Sequence, residues 1–187
     1  PHFFFPAPPA NRAAQESRGL GDVYKRQVLS SQKLLTQEHS ELMFIVAHQA
    51  SELWFKVLIH ELSAPTDIKL KRIVKIFEHL NSLWDIIATM TPDDYDTFRN
   101  TLGSASGKQS AQYIEVERLL KALPSKCCPN TSLFPREKLL DVENAFKKWQ
   151  FNHMKTVERI IGNKPGTGGT SGVKYLKLAV DQELWKK

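Results

Sequence analysis

The chain has few cysteines. Only Cys127 and Cys128 occur among its 187 residues, and they are neighbours. Adjacent cysteines cannot form an ordinary structural disulfide, because that bridge requires two well-separated Cα atoms. This excludes a small secreted domain held together by disulfides and favours a reducing compartment. The sequence therefore predicts a cytoplasmic protein.

Long apolar runs and a secretory leader are also missing. No apolar stretch approaches the length of a membrane span, so we expect no membrane partner. Residues 1–27 are rich in proline and lack the basic start and apolar core of a signal peptide. Asp22–Gln27, DVYKRQ, resembles the translation of a transposon adapter used in sequencing libraries. We expect residues 1–27 to be a non-native leader, or else a disordered proline-rich one, and residues 28–187 to form the domain.

A concentrated charge of one sign is absent as well. The net charge is +6, from 26 basic and 20 acidic residues, but the basic residues are dispersed. The one dense cluster, Lys69–Lys75 (KLKRIVK), is typical of the solvated side of an amphipathic helix. A nucleic-acid interface would call for interleaved aromatic residues or a known motif. We therefore expect no nucleic-acid partner.

No run of residues alternates with period two for long enough to predict a strand, so the pattern predicts a single all-α domain. With 41% apolar residues, the chain can bury a core. We expect long antiparallel helices. The predicted boundaries are Thr36 as N-cap to about Leu62, Asp67–Thr89, a helix with Thr91 as N-cap and Pro92 as its first residue, Gln109–Leu123, Arg136–Ile161 and Val173–Lys187.

Two of these helices carry a histidine on a patterned face. In Leu42–Lys56, LMFIVAHQASELWFK, helical spacing places Phe44 and His48 on one side. His153 lies in the last long helix, ahead of the glycine-dense Lys164–Gly172, KPGTGGTSG. Such an arrangement could hold a flat cofactor and a small ligand, whereas spacing alone favours ordinary core or surface histidines. A phosphate cradle is disfavoured, because the glycine stretch follows a helix and lacks a lysine-serine ending.

Three blocks of sequence resemble the tryptophan 2,3-dioxygenase family and occur in the family's order: FIVAHQASELWFK, TMTPDDYDTFRNTLGSASGKQS and HMKTVERIIGNKPGTGGTSGVKYL. The resemblance covers roughly residues 28–187. It implies a helical domain that encloses haem b. It also implies insertion of O2 across the indole C2–C3 bond of L-tryptophan to give N-formylkynurenine, the first step of tryptophan catabolism by the kynurenine pathway. A homotetramer is implied too.

The resemblance also assigns roles. His153 matches the axial ligand of the haem iron, and His48 matches the distal histidine that hydrogen-bonds the indole N–H. Arg99 matches the arginine that holds the substrate carboxylate, for which a planar guanidinium is suited. The other matched positions are Phe44 and Tyr95 in the substrate pocket, Thr167 at the ammonium and carboxylate of tryptophan, and Trp84, Ser106 and Gly107 beside the haem or the oxygen.

Each role has a plainer alternative. Phe44, Tyr95 and Trp84 could be ordinary core residues, and Arg99 a surface arginine paired with Asp96 or Glu52. Members of the family also carry several tens of additional residues between the positions of Arg99 and His153. A non-catalytic relative that keeps the helical scaffold, and with it haem binding, is therefore a second hypothesis.

Overall fold

A computed structural model of the protein describes residues 26–103, 109–123, 134–162, 164–167 and 169–185. The chain divides into two compact units, Pro1–Leu34 and Leu35–Lys187. In the described part of the first unit, residues 26–29 are helical. Every element discussed below belongs to the second unit. Ser106, Gly107 and both cysteines lie outside the described residues.

The second unit is built from helices. They are α1 (His39–Ser63), α2 (Asp67–Ile87), α3 (Pro92–Arg99) with a 3₁₀ turn at Asn100–Leu102, α4 (Ala111–Lys121), α5 (Arg136–Ile161) and α6 (Val173–Asp181). No strand occurs in the described ranges. The all-α prediction is confirmed, and the predicted bounds of α5 are those observed.

Local capping chemistry starts three of these helices. Thr91 and Asp94 form a reciprocal capping box at the start of α3, with Pro92 as the first helical residue, as predicted. The Thr66 hydroxyl accepts a bond from the Lys69 amide at the start of α2. Ser110 does the same for α4, where the Tyr113 amide donates to its hydroxyl over 2.9 Å.

The predicted N-cap of α1 is wrong. Glu38, rather than Thr36, occupies the N-cap position, and its side chain makes no capping bond. Thr36 instead binds the buried carboxylate of Glu41, to which it donates from both its amide and its hydroxyl, over 2.9 and 2.6 Å. The Thr36 hydroxyl bond lowers the pKa of Glu41. Because Glu41, in the first turn of α1, accepts these bonds, Thr36 and the segment around it stay outside the helix.

Three predicted helices also run past the observed ends. The predicted helix Gln109–Leu123 is observed as α4, Ala111–Lys121. Helix α2 stops at Ile87 rather than Thr89, and the Met90 amide closes a tight turn onto the Ile87 carbonyl over 3.0 Å. Helix α6 stops at Asp181 rather than running to the chain end. There the Lys147 ammonium of α5 donates to the carbonyls of Ala179 and Val180 over 3.1 and 3.2 Å. These carbonyls are satisfied from another helix, so α6 can end here.

Side-chain contacts fix the helix directions. Arg72 of α2 pairs with Glu61 of α1 over 2.8 Å, and Trp84 lies 6.4 Å from His48. Because residue numbers rise along α2 as the numbers of their partners fall along α1, these two helices are antiparallel, as predicted.

Helix α5 runs parallel to α2, since Phe77 contacts Phe146 and Trp84 contacts His153. Helix α4 packs on α1, where Gln112 donates to the Glu52 carboxylate over 2.7 Å.

Helix α1 departs from one expectation. Among the described residues it is the one helix long and apolar enough, by length and composition, to cross a membrane. One such helix is weak support for a span, because core helices of soluble proteins meet the same criterion. Its buried face packs into the core, but its opposite face exposes an apolar stripe, which we call the α1 stripe: Leu42, Val46, Leu53 and Val57.

Candidate functional site

His48 stands on α1 with its tautomer fixed by the helix. Its Nδ1 lies 2.7 Å from the Phe44 carbonyl oxygen, one turn earlier. A carbonyl can only accept, so Nδ1 carries the proton and donates it. In the neutral ring the lone pair is then at Nε2, which remains a hydrogen-bond acceptor.

His48 is an exposed residue with an aromatic ring beside it. Desolvation by the surrounding protein lowers the pKa of His48, with the Phe44 carbonyl and the Glu52 charge opposing the shift. Phe44 covers one side of the imidazole, with the two ring centroids 4.2 Å apart. The ring is therefore neutral at pH 7 and accessible to a ligand.

His153 reaches the same region from α5. Its ring stacks on Trp84 at 4.5 Å, with 15° between the planes. Burial first, and then the charge of His48, lower the pKa of His153 to about 4. Within the part of the chain that the structure describes, no hydrogen bond engages its ring nitrogens. His153 is thus a neutral imidazole whose face is covered and whose nitrogens are available as donors of a lone pair or a proton.

Trp84 links the two histidines. It stacks on His153 and meets His48 edge to face at 6.4 Å. The side chain is 7% exposed, and its indole Nε1 is buried without a hydrogen-bond partner among the described residues. A buried donor left unpaired costs roughly 1–3 kcal/mol, so such groups are worth explaining. A bound molecule that offers an acceptor would satisfy it.

Two further rings, Tyr95 and Phe98 of α3, extend the site from Phe44. Phe44 lies 5.7 Å from Tyr95 and 5.5 Å from Phe98, and these two rings meet edge to face at 5.4 Å. Burial raises the pKa of Tyr95, while the nearby Arg99 charge opposes the shift. The phenol is therefore neutral. The predicted pocket residues Phe44 and Tyr95 do lie together, one turn from Arg99.

Arg99 points to the glycine-rich segment rather than to an acid. Its guanidinium donates to the Pro165 carbonyl. Neither pairing considered from the sequence is made, because Asp96 pairs with Lys164 and Glu52 accepts from Gln112. Thr167, two residues beyond Pro165, is half-buried. The hydrogen bond to Pro165 thus links Arg99 to the segment that carries Thr167.

Phe98 and Trp149 belong to the cluster but were not singled out from the sequence. Phe98 is fully buried between Phe44 and Tyr95. Trp149 lies 5.9 Å from both Trp84 and His153. Helical spacing could have found them, since each lies three or four residues from a predicted site residue on the same helix.

The predicted site residues therefore form two groups. One is a ring cluster of Phe44, His48, Trp84, Tyr95 and His153. The other is Arg99 with the Thr167 segment, next to Tyr95 along α3. Ser106 and Gly107 cannot be assigned to either group, because they lie outside the described residues.

Comparison with known proteins gives consistent matches. A family model for tryptophan 2,3-dioxygenase matches residues 10–132 and 132–185. A tryptophan 2,3-dioxygenase of Bacillus anthracis is 36% identical over 242 aligned positions, which cover 84% of this chain and 87% of the relative. Those of Ruegeria pomeroyi and of a Bradyrhizobium strain are 34% and 35% identical, over 79% and 85% of this chain and 82% and 87% of theirs.

The alignment also measures how much shorter this chain is. The alignment with the Bacillus anthracis relative has 242 positions, whereas 84% of this 187-residue chain is roughly 157 residues. About 85 aligned positions of the relative therefore have no counterpart in this chain. The family model matches in two stretches that meet at residue 132, between α4 and α5.

Proposed function

Because the chain belongs to the tryptophan 2,3-dioxygenase family, a family of oxidoreductases, we propose that it oxidises L-tryptophan with O2. Both oxygen atoms enter the product: the indole C2–C3 double bond is broken and N-formylkynurenine forms. The observation that carries this proposal is the convergence of two neutral histidines, from α1 and α5, on one buried tryptophan.

The ring cluster suits a haem. His153 is a neutral imidazole whose nitrogens have no hydrogen-bond partner in the described ranges, which is the form that ligates iron. Beside it, the buried N–H of Trp84, which lacks a partner in the same described ranges, suits a cofactor that bears acceptor groups. The described residues hold no cluster of three His, Cys, Asp or Glu side chains, and haem iron needs only one protein ligand on its proximal side. We assign His153 as that ligand and Trp84, with Ser106 and Gly107, as cofactor contacts. Haem b, when bound, supplies the redox-active iron for the oxygen chemistry.

His48 is assigned to orient the substrate. With Nδ1 held by the Phe44 carbonyl, Nε2 can accept a hydrogen bond from the indole N–H. A strong base is not needed for this role, and the lowered pKa of His48 keeps the acceptor form at pH 7. Phe44 and Tyr95 are placed to pack on the indole and to exclude water from it.

Arg99 and Thr167 are assigned to the amino-acid end of the substrate. A guanidinium has five N–H donors, and the bond to Pro165 uses only part of this capacity. The rest can hold a carboxylate through two parallel bonds. Thr167 would contact the carboxylate and ammonium. Indole without these charged groups would leave buried polar groups unpaired, which gives selectivity for the amino acid.

Assembly and location complete the proposal. The α1 stripe exposes apolar surface on a helix that already buries its other face. Contact with further copies of the chain would cover it, and we propose a homotetramer located in the cytoplasm, with neither a nucleic-acid nor a membrane partner. Light scattering that shows a well-behaved monomer would contradict the tetramer.

The second candidate is a non-catalytic relative that keeps the scaffold and binds haem. The specific observation in its favour is the loss of about 85 aligned positions. One experiment separates the two. Purified protein is reconstituted with haem, and its visible spectrum is recorded with and without L-tryptophan, followed by mass spectrometry of the product after reduction and aeration. A histidine-ligated spectrum that tryptophan perturbs, with a product heavier by two oxygen atoms, supports the enzyme. A spectrum indifferent to tryptophan, with no product, supports the scaffold.

A further inference from the structure

We propose that Lys164 is a positioning residue: by pairing with Asp96, it keeps that carboxylate from capturing Arg99 and so leaves the guanidinium free for the carboxylate of the substrate. This inference rests on the proposed function, because it assumes that Arg99 binds an amino-acid carboxylate. It concerns how the protein keeps a binding arginine available, which the resemblance of the sequence does not address.

Asp96 is the natural competitor for Arg99. The two residues are three positions apart on α3, where opposite charges on a helix are neighbours and pair. Both charges act on the Tyr95 phenol, Arg99 lowering its pKa and Asp96 raising it. Asp96 and Arg99 therefore lie on the same side of α3, at the edge of the ring cluster.

The structure shows Asp96 engaged elsewhere. The Lys164 ammonium contacts its carboxylate, and the Arg99 guanidinium donates to the carbonyl of the very next residue, Pro165. Two consecutive residues thus supply both partners: the Lys164 ammonium pairs with Asp96, and the neutral Pro165 carbonyl accepts from Arg99. A carbonyl is a weaker partner than a carboxylate for a guanidinium, so the remaining Arg99 donors stay available to an incoming anion.

The position of Lys164 does not depend on the ion pair alone. A Cβ added to Gly172 would lie 2.8 Å from the Lys164 carbonyl oxygen, so the two ends of the segment touch through backbone. Within it, the Gly166 amide donates to the Thr170 carbonyl over 3.0 Å. The Lys164 and Asp96 side chains are 49% and 39% exposed, and such exposed pairs add little to stability. The ion pair can therefore be removed without dismantling the segment.

A double-mutant cycle can therefore separate two roles for Lys164: keeping Asp96 away from Arg99, and anchoring the segment. The variants are Lys164→Met, Asp96→Asn and the double variant, with Lys75→Met as a matched control that breaks another exposed ion pair, to Glu78. Binding to the haem-reconstituted full chain is measured by calorimetry for L-tryptophan and for tryptamine, which lacks the carboxylate. Thermal unfolding of each variant is recorded alongside.

If Lys164 shields Arg99, Lys164→Met weakens tryptophan binding about tenfold, the effect of losing one charge-assisted interaction. Asp96→Asn changes it by less than about threefold, and adding Asp96→Asn to Lys164→Met restores binding, because the competitor is gone. Tryptamine binding and thermal unfolding stay unchanged throughout, and Lys75→Met has no effect.

Two results would overturn the inference while leaving the proposed function intact. If both single variants weaken tryptophan binding equally and the double variant is no better, Lys164 acts only as an anchor for the segment. If the wild type binds tryptophan and no variant changes the affinity, the pair has no part in recognition. A wild type that binds haem but not tryptophan would overturn the proposed function, and the inference with it.

Discussion

Gly172→Ala should open the segment 164–172, and the effect can be worked out from the backbone. Gly172 has φ +61° and ψ −123°, a conformation that side chains rarely adopt. Its added Cβ would also lie 2.8 Å from the Lys164 carbonyl oxygen and 3.4 Å from the Gly166 nitrogen. Both atoms belong to backbone and cannot rotate away, so the contact between the ends of the segment must break.

Gly162 provides a matched control for this change. Its φ of 59° and ψ of −130° are nearly those of Gly172, but a Cβ there would meet nothing within 4 Å. Alanine at either position carries the same backbone strain, on the order of 1–3 kcal/mol. Only Gly172→Ala adds the clash. The difference between the two variants therefore isolates the close approach of Gly172 to Lys164.

Hydrogen exchange is the assay that separates them. Gly172→Ala should speed exchange at the Gly166 amide, whose bond to Thr170 depends on the closed segment, and should weaken tryptophan binding by displacing Pro165 from Arg99. Gly162→Ala should lower the free energy of unfolding but leave exchange within the segment as in the wild type. Equal exchange in both variants would refute the reasoning, because strain alone would then account for the whole effect.

Four other outcomes follow from the site and the core. His153→Ala should abolish stable haem binding, whereas His48→Ala should keep haem and impair turnover; equal haem loss by absorbance would show that the two faces are interchanged. Arg99→Lys should lower kcat/KM for tryptophan ten- to hundredfold, about 1.5–3 kcal/mol, with little change in tryptamine binding; equal weakening of both ligands would mean that Arg99 supports the fold. Phe98→Ala should cost about 3–5 kcal/mol of unfolding free energy, because its ring is fully buried; a loss below about 1 kcal/mol in urea unfolding would contradict its place in the core. Burial raises the pKa of Tyr113 to about 12. An unfolded phenol ionises near 10, so the folded state keeps a proton that the unfolded state releases. Stability should therefore fall as pH rises from about 10 to 12, by up to roughly 3 kcal/mol. Urea unfolding of Tyr113→Phe should lack this alkaline loss, and an identical loss in both proteins would rule Tyr113 out as its source.

The parts of the fold that local sequence determines were predictable. Helix α3 begins where Thr91 and Pro92 indicate, since its capping box closes within four residues. The errors lie where side chains outside the usual capping positions intervene, some of them distant in sequence and some close. Helix α6 ends early at carbonyls that Lys147 satisfies from another helix. At α1, the start is displaced by the bonds that Thr36 makes to Glu41 rather than to the helix.

For the candidate site, the family resemblance assigned roles to individual residues but did not show which other residues contact them. It singled out His48 and His153, whereas their shared contact with Trp84 requires the antiparallel course of α1 and α2 and the parallel course of α2 and α5. The pairing of Lys164 with Asp96 joins residues 68 positions apart. No periodicity or motif encodes such a contact, because it depends on how the segment after α5 folds back on α3.

The place where the two matched stretches of the family model meet bears on which hypothesis is correct. They meet at residue 132, between α4 and α5. Helix α5 starts at Arg136, where Lys138 pairs with Asp67 at the start of α2. Because an α-helix rises about 1.5 Å per residue, His153 lies about 25 Å along α5 from its first residue, Arg136. The point where the two matched stretches meet therefore lies far along α5 from His153, and the contacts of Trp84 with His48 and His153 form in this chain as it stands.

If the chain binds haem and oxidises tryptophan as proposed, the two properties should be separable by experiment. Insertion at residue 132 of a segment of the Bacillus anthracis relative that has no counterpart in this chain should leave haem affinity unchanged if His153 alone sets it. The same insertion should raise turnover if that segment serves to exclude water from the site. A large gain in haem affinity would instead mean that the ring cluster is not sufficient to hold the cofactor. The assignment of His153 and Trp84 as the core of the haem site would then have to be revised.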